Sequence, residues 1–285
     1  MSLILASLVL CAMRPNPDAY RDEIVKWRQE NEADLKKDDG WLAVAGLWWL
    51  PEGVTMFNQD DDGHVERSEG VIPPPGLAQF ERTGRKVSIK VFLDTPVLVN
   101  GKKVETADLT GSDAVTWGSV TMFVIERGQR IGIRIYDTNN KPRKEFTGEK
   151  WFDIDPAYCI KAKYTAYDKP REMPITNVLG DTAPVSNPGF VEFTWKGKKC
   201  RLEAQDACPG LFFNFKDLTS GKSTYPAGRF LDAPKPVDGY VTVDFNRATN
   251  PPCAFTDFAT CPLPPKANSL PVEIKAGEMT YHIHK

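Results

Sequence analysis

Short runs of alternating apolar and polar residues, cut by turn residues, restrict this chain more than any other feature. Lys86-Val-Ser-Ile-Lys-Val-Phe92 alternates cleanly. Val97-Leu-Val99 runs into Asn100-Gly101, a strong hairpin signal, and Lys103-Val104 returns from it. Val120-Thr-Met-Phe-Val-Ile125 and Arg130-Ile-Gly-Ile-Arg-Ile-Tyr136 face each other across Arg127-Gly128. Turns this short can join only antiparallel neighbours, because a parallel pair needs a long crossover. Strands at this spacing predict a β-sandwich.

The same signal resumes after Thr138-Asn-Asn-Lys-Pro142, a polar stretch that reads as a linker. Strands are predicted over 158–167, 189–195, 199–204, 211–215 and 240–245, with turns at Lys196-Gly-Lys198 and Thr219-Ser-Gly-Lys222. The one convincing helix is Asp18–Asp38, where Tyr20, Ile24 and Trp27 fall on one face. After it, Trp41–Leu50 is apolar throughout and stops at Pro51. It is too short for a bilayer, which takes about 20 residues, and reads as a buried strand or a bent pair of short strands. With 21 Gly and 23 Pro, the chain is richer in turn formers than in long helices. Its 36 basic and 38 acidic residues give a formal charge of −2. That balance lacks the basic excess of a nucleic-acid binder.

Met1–Met13 is an apolar run without charge, followed by the turn-forming Arg14-Pro-Asn-Pro17. It suits the apolar region of an export signal, although no basic residue precedes it and Leu10 is a poor residue ahead of a lipidated Cys11. The expectation is an exported protein, periplasmic or extracellular and open to membrane anchoring, and cytoplasmic if the segment is no signal. Of the six Cys, Cys200/Cys208 and Cys253/Cys261 form two equally spaced pairs. Outside the cytosol these suit disulfides; buried free thiols are the alternative. Cys253–Cys261 is the first candidate.

Candidate site residues concentrate late in the chain. In the strand ending at Phe245, Val241, Val243 and Phe245 point one way, while Tyr240, Thr242, Asp244 and Asn246 point the other. Pro251-Pro252 stiffens the loop after it, so Arg247, Thr249 and Asn250 stand on a rigid mount. Such groups serve either a polar ligand or the carbonyls of an irregular crossover. Tyr225 and Arg229 share a strand face, and Arg229 fits an anionic ligand group or an internal ion pair with Asp244. Cys253 is a nucleophile candidate if His282 serves as its base. His282 and His284 share a strand face but lack a third ligand, and Asp60-Asp61-Asp62-Gly63 lacks the spacing of a calcium loop. No metal and no cofactor are expected.

The run Asp244–Pro265 (DFNRATNPPCAFTDFATCPLPP), with Tyr225–Leu231, Gly40–Leu50 and Asp153–Tyr158, resembles the bacterial and archaeal family called domain of unknown function 1684. The resemblance extends from about Trp27 and implies no reaction; members often look exported. In the first half, Val99–Val104, Leu109 and Gly118–Phe123 resemble the C-terminal strands of forkhead-associated (FHA) domains. That resemblance implies a shared sandwich. The matching phosphate-reading loop here is Phe57–His64, with an acid run and no Gly-Arg.

The expectation is a mainly β protein in four parts: a lead-in over 1–17, a helix over 18–39, an FHA-like β-sandwich over 40–138, and an antiparallel β domain, sheet or barrel, over 139–285. The last carries the site, with Tyr225, Arg229, Asp244, Asn246, Arg247 and Asn250 binding a small polar or anionic molecule. The alternatives are a hydrolase using the Asp244–Cys253 region with His282, and an interaction module presenting the sandwich to a protein partner. The binding reading expects a polar pocket holding at least three of Tyr225, Arg229, Asp244, Asn246 and Asn250. The module expects a broad exposed apolar patch.

Overall fold

The structure is a computed structural model, and it describes residues 17–59, 65–68, 77–92 and 95–281. Met1–Met13, Asp60–Asp62, His64, His282 and His284 lie outside the described residues. The protein is mainly β, with an N-terminal helix and several antiparallel sheets. Among the described residues, no helix is long and apolar enough to cross a membrane.

The helix is Pro17–Leu35. Proline is well placed there, because the first helical N–H would be unpaired in any case. Tyr20 and Ile24 are buried on the expected face. The chain then turns, with the Gly40 N–H donating to the Lys37 carbonyl at 2.9 Å. The apolar run from Trp41 splits into a 3₁₀ turn, Trp41–Ala43, and the strand Val44–Trp49.

That strand edges a five-stranded antiparallel sheet, whose order continues through Arg130–Asp137, Val120–Arg127, Val115–Trp117 and Leu98–Val99. A second five-stranded sheet runs Val65–Ser68, Gly53–Gln59, Ala78–Thr83, Lys86–Val91, Thr106–Leu109. Phe57, Phe80 and Ile89 from the second sheet and Met122, Ile131 and Ile133 from the first form one core between them, so the alternation becomes a sandwich. At Asn100-Gly101 both residues have positive φ, +51° and +75°, as a tight type I′ turn requires. The return at Lys103-Val104 does not extend into a strand. Instead Asn100 donates to Asp113 Oδ1 (2.8 Å) and accepts from the Ala114 N–H (3.0 Å), drawing Leu98–Val99 onto Val115–Trp117.

The polar stretch at Thr138 is held down. Asn140 donates to the Leu42 carbonyl at 2.9 Å, and Arg143 bonds the carbonyls of Lys36 and Thr138. A short helix, Lys141–Glu145, follows. Beyond it lie a four-stranded sheet (Lys198–Glu203, Thr182–Trp195, Cys159–Thr176, Tyr240–Asp244) and a three-stranded sheet (Gln205–Asp206, Leu211–Phe215, Arg229–Ala233). Together with Leu270–Ala276 they close a second core around Phe213, Phe215 and Phe245. The hairpin Cys159–Thr176/Thr182–Trp195 runs longer than its sequence predicts, because Pro170, Pro174, Pro184 and Pro188 read as breakers. Pro174 faces Pro184 directly. Neither residue has an N–H, so the two fit a pair that exchanges no backbone hydrogen bond.

Candidate functional site

Arg229 belongs to the core of the second unit. Its side chain is 1% exposed, and its partner is Asp217, not Asp244: Nη2 lies 3.1 Å from Asp217 Oδ2. Nη2 also donates to the Ile274 carbonyl (2.9 Å), and Nη1 donates to the carbonyls of Ala276 and Glu278. Burial lowers its pKa from the usual arginine value, and Asp217 opposes that shift. With these donors bonded inside the protein, Arg229 is structural and does not reach a ligand. Tyr225, placed in a turn ahead of that strand, donates to the Cys253 carbonyl at 3.0 Å and steadies the following loop.

Asp244 and Asn246 do not line a polar pocket, because the N-terminal helix covers them. Tyr20 donates to Asp244 Oδ1 (2.8 Å), and Asn246 Nδ2 donates to the Tyr20 oxygen and to the Asp155 carbonyl, each at 2.9 Å. Burial, then Asp244, raises the Tyr20 pKa, so its proton stays in place. Asn250 is also turned inward, donating from Nδ2 to the Met279 carbonyl at 2.8 Å. None of the five residues expected to share a pocket lines the cleft beside Arg247; short polar residues in this crossover satisfy buried groups instead.

Arg247 behaves differently. It stands one turn beyond Asp244, which holds its Nε at 3.4 Å, and it also pairs with Glu23 of the helix. Its guanidinium carbon lies 5.4 Å from the Trp27 ring centre. Arg247 and Thr249 form one wall of a cleft of about 730 Å³. Trp27 and Asn31, on one face of the helix, form a second wall; the loop Ala207–Leu211 and the strand exit Asp232–Lys235 complete it. Asp232 sits at the rim, and desolvation there raises its carboxyl above the ordinary range. Sequence reasoning found Arg247 and Thr249 but missed Trp27, Asn31, Asp232 and Lys235, which are ordinary surface types until the helix docks.

Behind Asn31 lies a second feature absent from the sequence reading. Glu149 and Glu278 lie close enough to act on each other's charge, and burial, ahead of that mutual effect, raises both carboxyls above the ordinary glutamate range. Asn31 Nδ2 reaches Glu149 Oε2 and Glu278 Oε1, each at 3.3 Å, and the Asn250 N–H donates to Glu278 Oε2. Gly277, at φ +77°, lets the chain pass against the carbonyls of Phe245 and Ala248, where any Cβ would collide.

Cys253 and Cys261 stand side by side as free thiols, with the Cys253 N–H donating to Cys261 Sγ at 3.2 Å. His282 lies outside the described residues. Cys200 is buried and Cys208 exposed, both free. Among the described residues no group of three or more His, Cys, Asp or Glu is arranged to hold a metal. Among the described residues, Val54 is the one large exposed apolar side chain in the sandwich, so no broad apolar patch appears among them there.

The fold and this crossover define a mainly β protein whose second unit is stapled by its own C-terminal segment. Residues 144–279 match the model of the family described as "Protein of unknown function (DUF1684)", and the chain belongs to that family. The match begins at residue 144, so Gly40–Leu50 and the FHA-like stretch lie outside it. An uncharacterised protein of Haloarcula marismortui, known from a solution NMR structure, is 33% identical over 48% of this chain and 79% of its own, with a TM-score of 0.41. No curated protein matches the chain.

Proposed function

We propose that this is a binding protein, exported by its apolar N-terminal run, whose cleft takes a small organic molecule with an anionic group. The observation that carries the reading is the pairing of Arg247 and Lys235 around one cleft with the Trp27 ring. Arg247 commits Nε and Nη2 to Asp244 and Glu23, which fixes its position and leaves the Nη1 edge for a ligand. A planar donor held in place recognises a carboxylate or phosphate with little ordering cost. Trp27 supplies a flat apolar surface beside it. Raising the Asp232 pKa makes that carboxyl easier to protonate, which reduces repulsion at the rim.

Isothermal titration with acetate, benzoate and inorganic phosphate tests this reading. Benzoate is expected to bind more tightly than acetate, and Lys235→Gln to weaken it about tenfold, the loss of one charge-assisted contact. Lys235 is exposed, so the variant keeps the fold. Equal heats for the variant and the unaltered protein would refute the reading.

A further inference from the structure

The thiol pair points to chemistry apart from the cleft. Cys253 is partly exposed and Cys261 is buried, and the Cys253 N–H donates to the Cys261 sulfur at 3.2 Å on a loop held at several points. The Cys253 carbonyl accepts from Tyr225 at 3.0 Å, and the Cys261 carbonyl accepts from the Val178 N–H at 3.0 Å. Thr256 Oγ1 donates to the Val44 carbonyl at 3.2 Å, tying the middle of the loop to the first sheet. Two sulfurs at different depths on a fixed frame can divide the roles of attacking and resolving thiol.

Arg134 gives a second, independent observation. It is 6% exposed, and its Nε and Nη2 are buried without a hydrogen-bond partner. The neighbouring Cys253 and burial raise the Cys261 pKa, and the Arg134 charge opposes that rise only slightly. The neighbouring Cys261 thiol lowers the Cys253 pKa, while Cys253 and burial raise that of Cys261. The thiolate therefore forms first on the more accessible sulfur, as an attacking cysteine needs.

We propose that Cys253 and Cys261 are a redox-active dithiol that exchanges with small disulfides, Cys253 attacking and Cys261 resolving. The Cys253 thiolate attacks one sulfur of a disulfide such as oxidised glutathione. That S–S bond breaks, a mixed disulfide forms on Cys253, and the departing glutathione thiolate takes up the proton Cys253 lost. Cys261 then gives up its proton and attacks the Cys253 sulfur, forming the Cys253–Cys261 bond and breaking the mixed disulfide. The second glutathione leaves as a thiol. Two protein thiols have lost two electrons, and one glutathione disulfide has become two thiols.

The test uses the full chain, reduced, incubated in glutathione buffers of stepped oxidised-to-reduced ratio, quenched, alkylated and mapped by peptide mass. The Cys253–Cys261 disulfide is expected to replace both alkylated peptides together. Cys261→Ser should stop at glutathione on Cys253, and Cys253→Ser should form neither product. In the unaltered reduced protein, a short alkylation pulse should label Cys253 about tenfold faster than Cys261, a readout that needs no variant. Two cysteines alkylated at every ratio, glutathione on Cys261 first, or equal pulse rates would each overturn the proposal.

Discussion

Asp217→Asn tests whether the second unit is built around Arg229. The side chains of the two residues are 0% and 1% exposed, so solvent cannot take over the lost interaction. Asp217 Oδ2 accepts from both Arg229 Nη2 and the Ile274 N–H, while Oδ1 accepts from the Thr219 N–H at 2.9 Å. An asparagine can turn an oxygen to only one of these sites, and its amide then opposes a donor at the other. A buried charge left unpaired costs about 3–5 kcal/mol. At roughly 2–4 °C per kcal/mol for a protein of this size, Tm should fall by roughly 6–20 °C. Circular dichroism melts and urea midpoints both read this. The double variant Asp217→Leu with Arg229→Met should recover much of the loss, because replacing both charges removes the desolvation cost. A single variant melting within about 2 °C of the unaltered protein, on that same scale, would show that Arg229 is not a structural centre and would return it to the ligand-binding residues.

Three further outcomes can be measured. Tyr20→Phe removes a donor to buried Asp244 and an acceptor from Asn246; it should cost about 1–3 kcal/mol in urea unfolding and loosen the helix to proteolysis. Glu149 and Glu278 have raised pKa values, so between the ordinary glutamate range and those raised values the folded protein holds protons the unfolded chain has released. Their contribution is complete below the ordinary range and is lost as pH rises through the raised values. Urea midpoints should therefore decline more from pH 5 to pH 8 in the unaltered protein than in Glu149→Gln. Export expects the intact mass of protein recovered from its host to lack the Met1–Met13 run; a full-length mass would contradict it.

What could be read from the chain in advance was whatever local periodicity controls. The Tyr20/Ile24/Trp27 face, the Asn100-Gly101 turn and the hairpin across Arg127-Gly128 all follow from residues near one another. The proline-bearing hairpin did not, because strand pairing can place Pro174 opposite Pro184 where neither needs a donor. The sequence singles out Arg229 for a ligand or for Asp244, but its acceptors come from Asp217 and the 274–278 segment, which no local pattern connects. The same holds for the Glu149–Glu278 pair, which forms only when the C-terminal segment folds back. Of the expected ligand residues Arg247 reaches the cleft, because it stands at the end of the 3₁₀ turn rather than within it.

The cleft is tested most directly at Trp27. Its indole N–H resonance, assigned with Trp27→Phe and followed by two-dimensional NMR during a benzoate titration, reports occupancy at the wall beside Arg247. The binding account expects a saturable shift of that resonance, with the remaining indoles still, and a curve displaced to higher concentration in Lys235→Gln. A Trp27 resonance that stays fixed while benzoate is raised, or one that moves identically in Lys235→Gln, would contradict it.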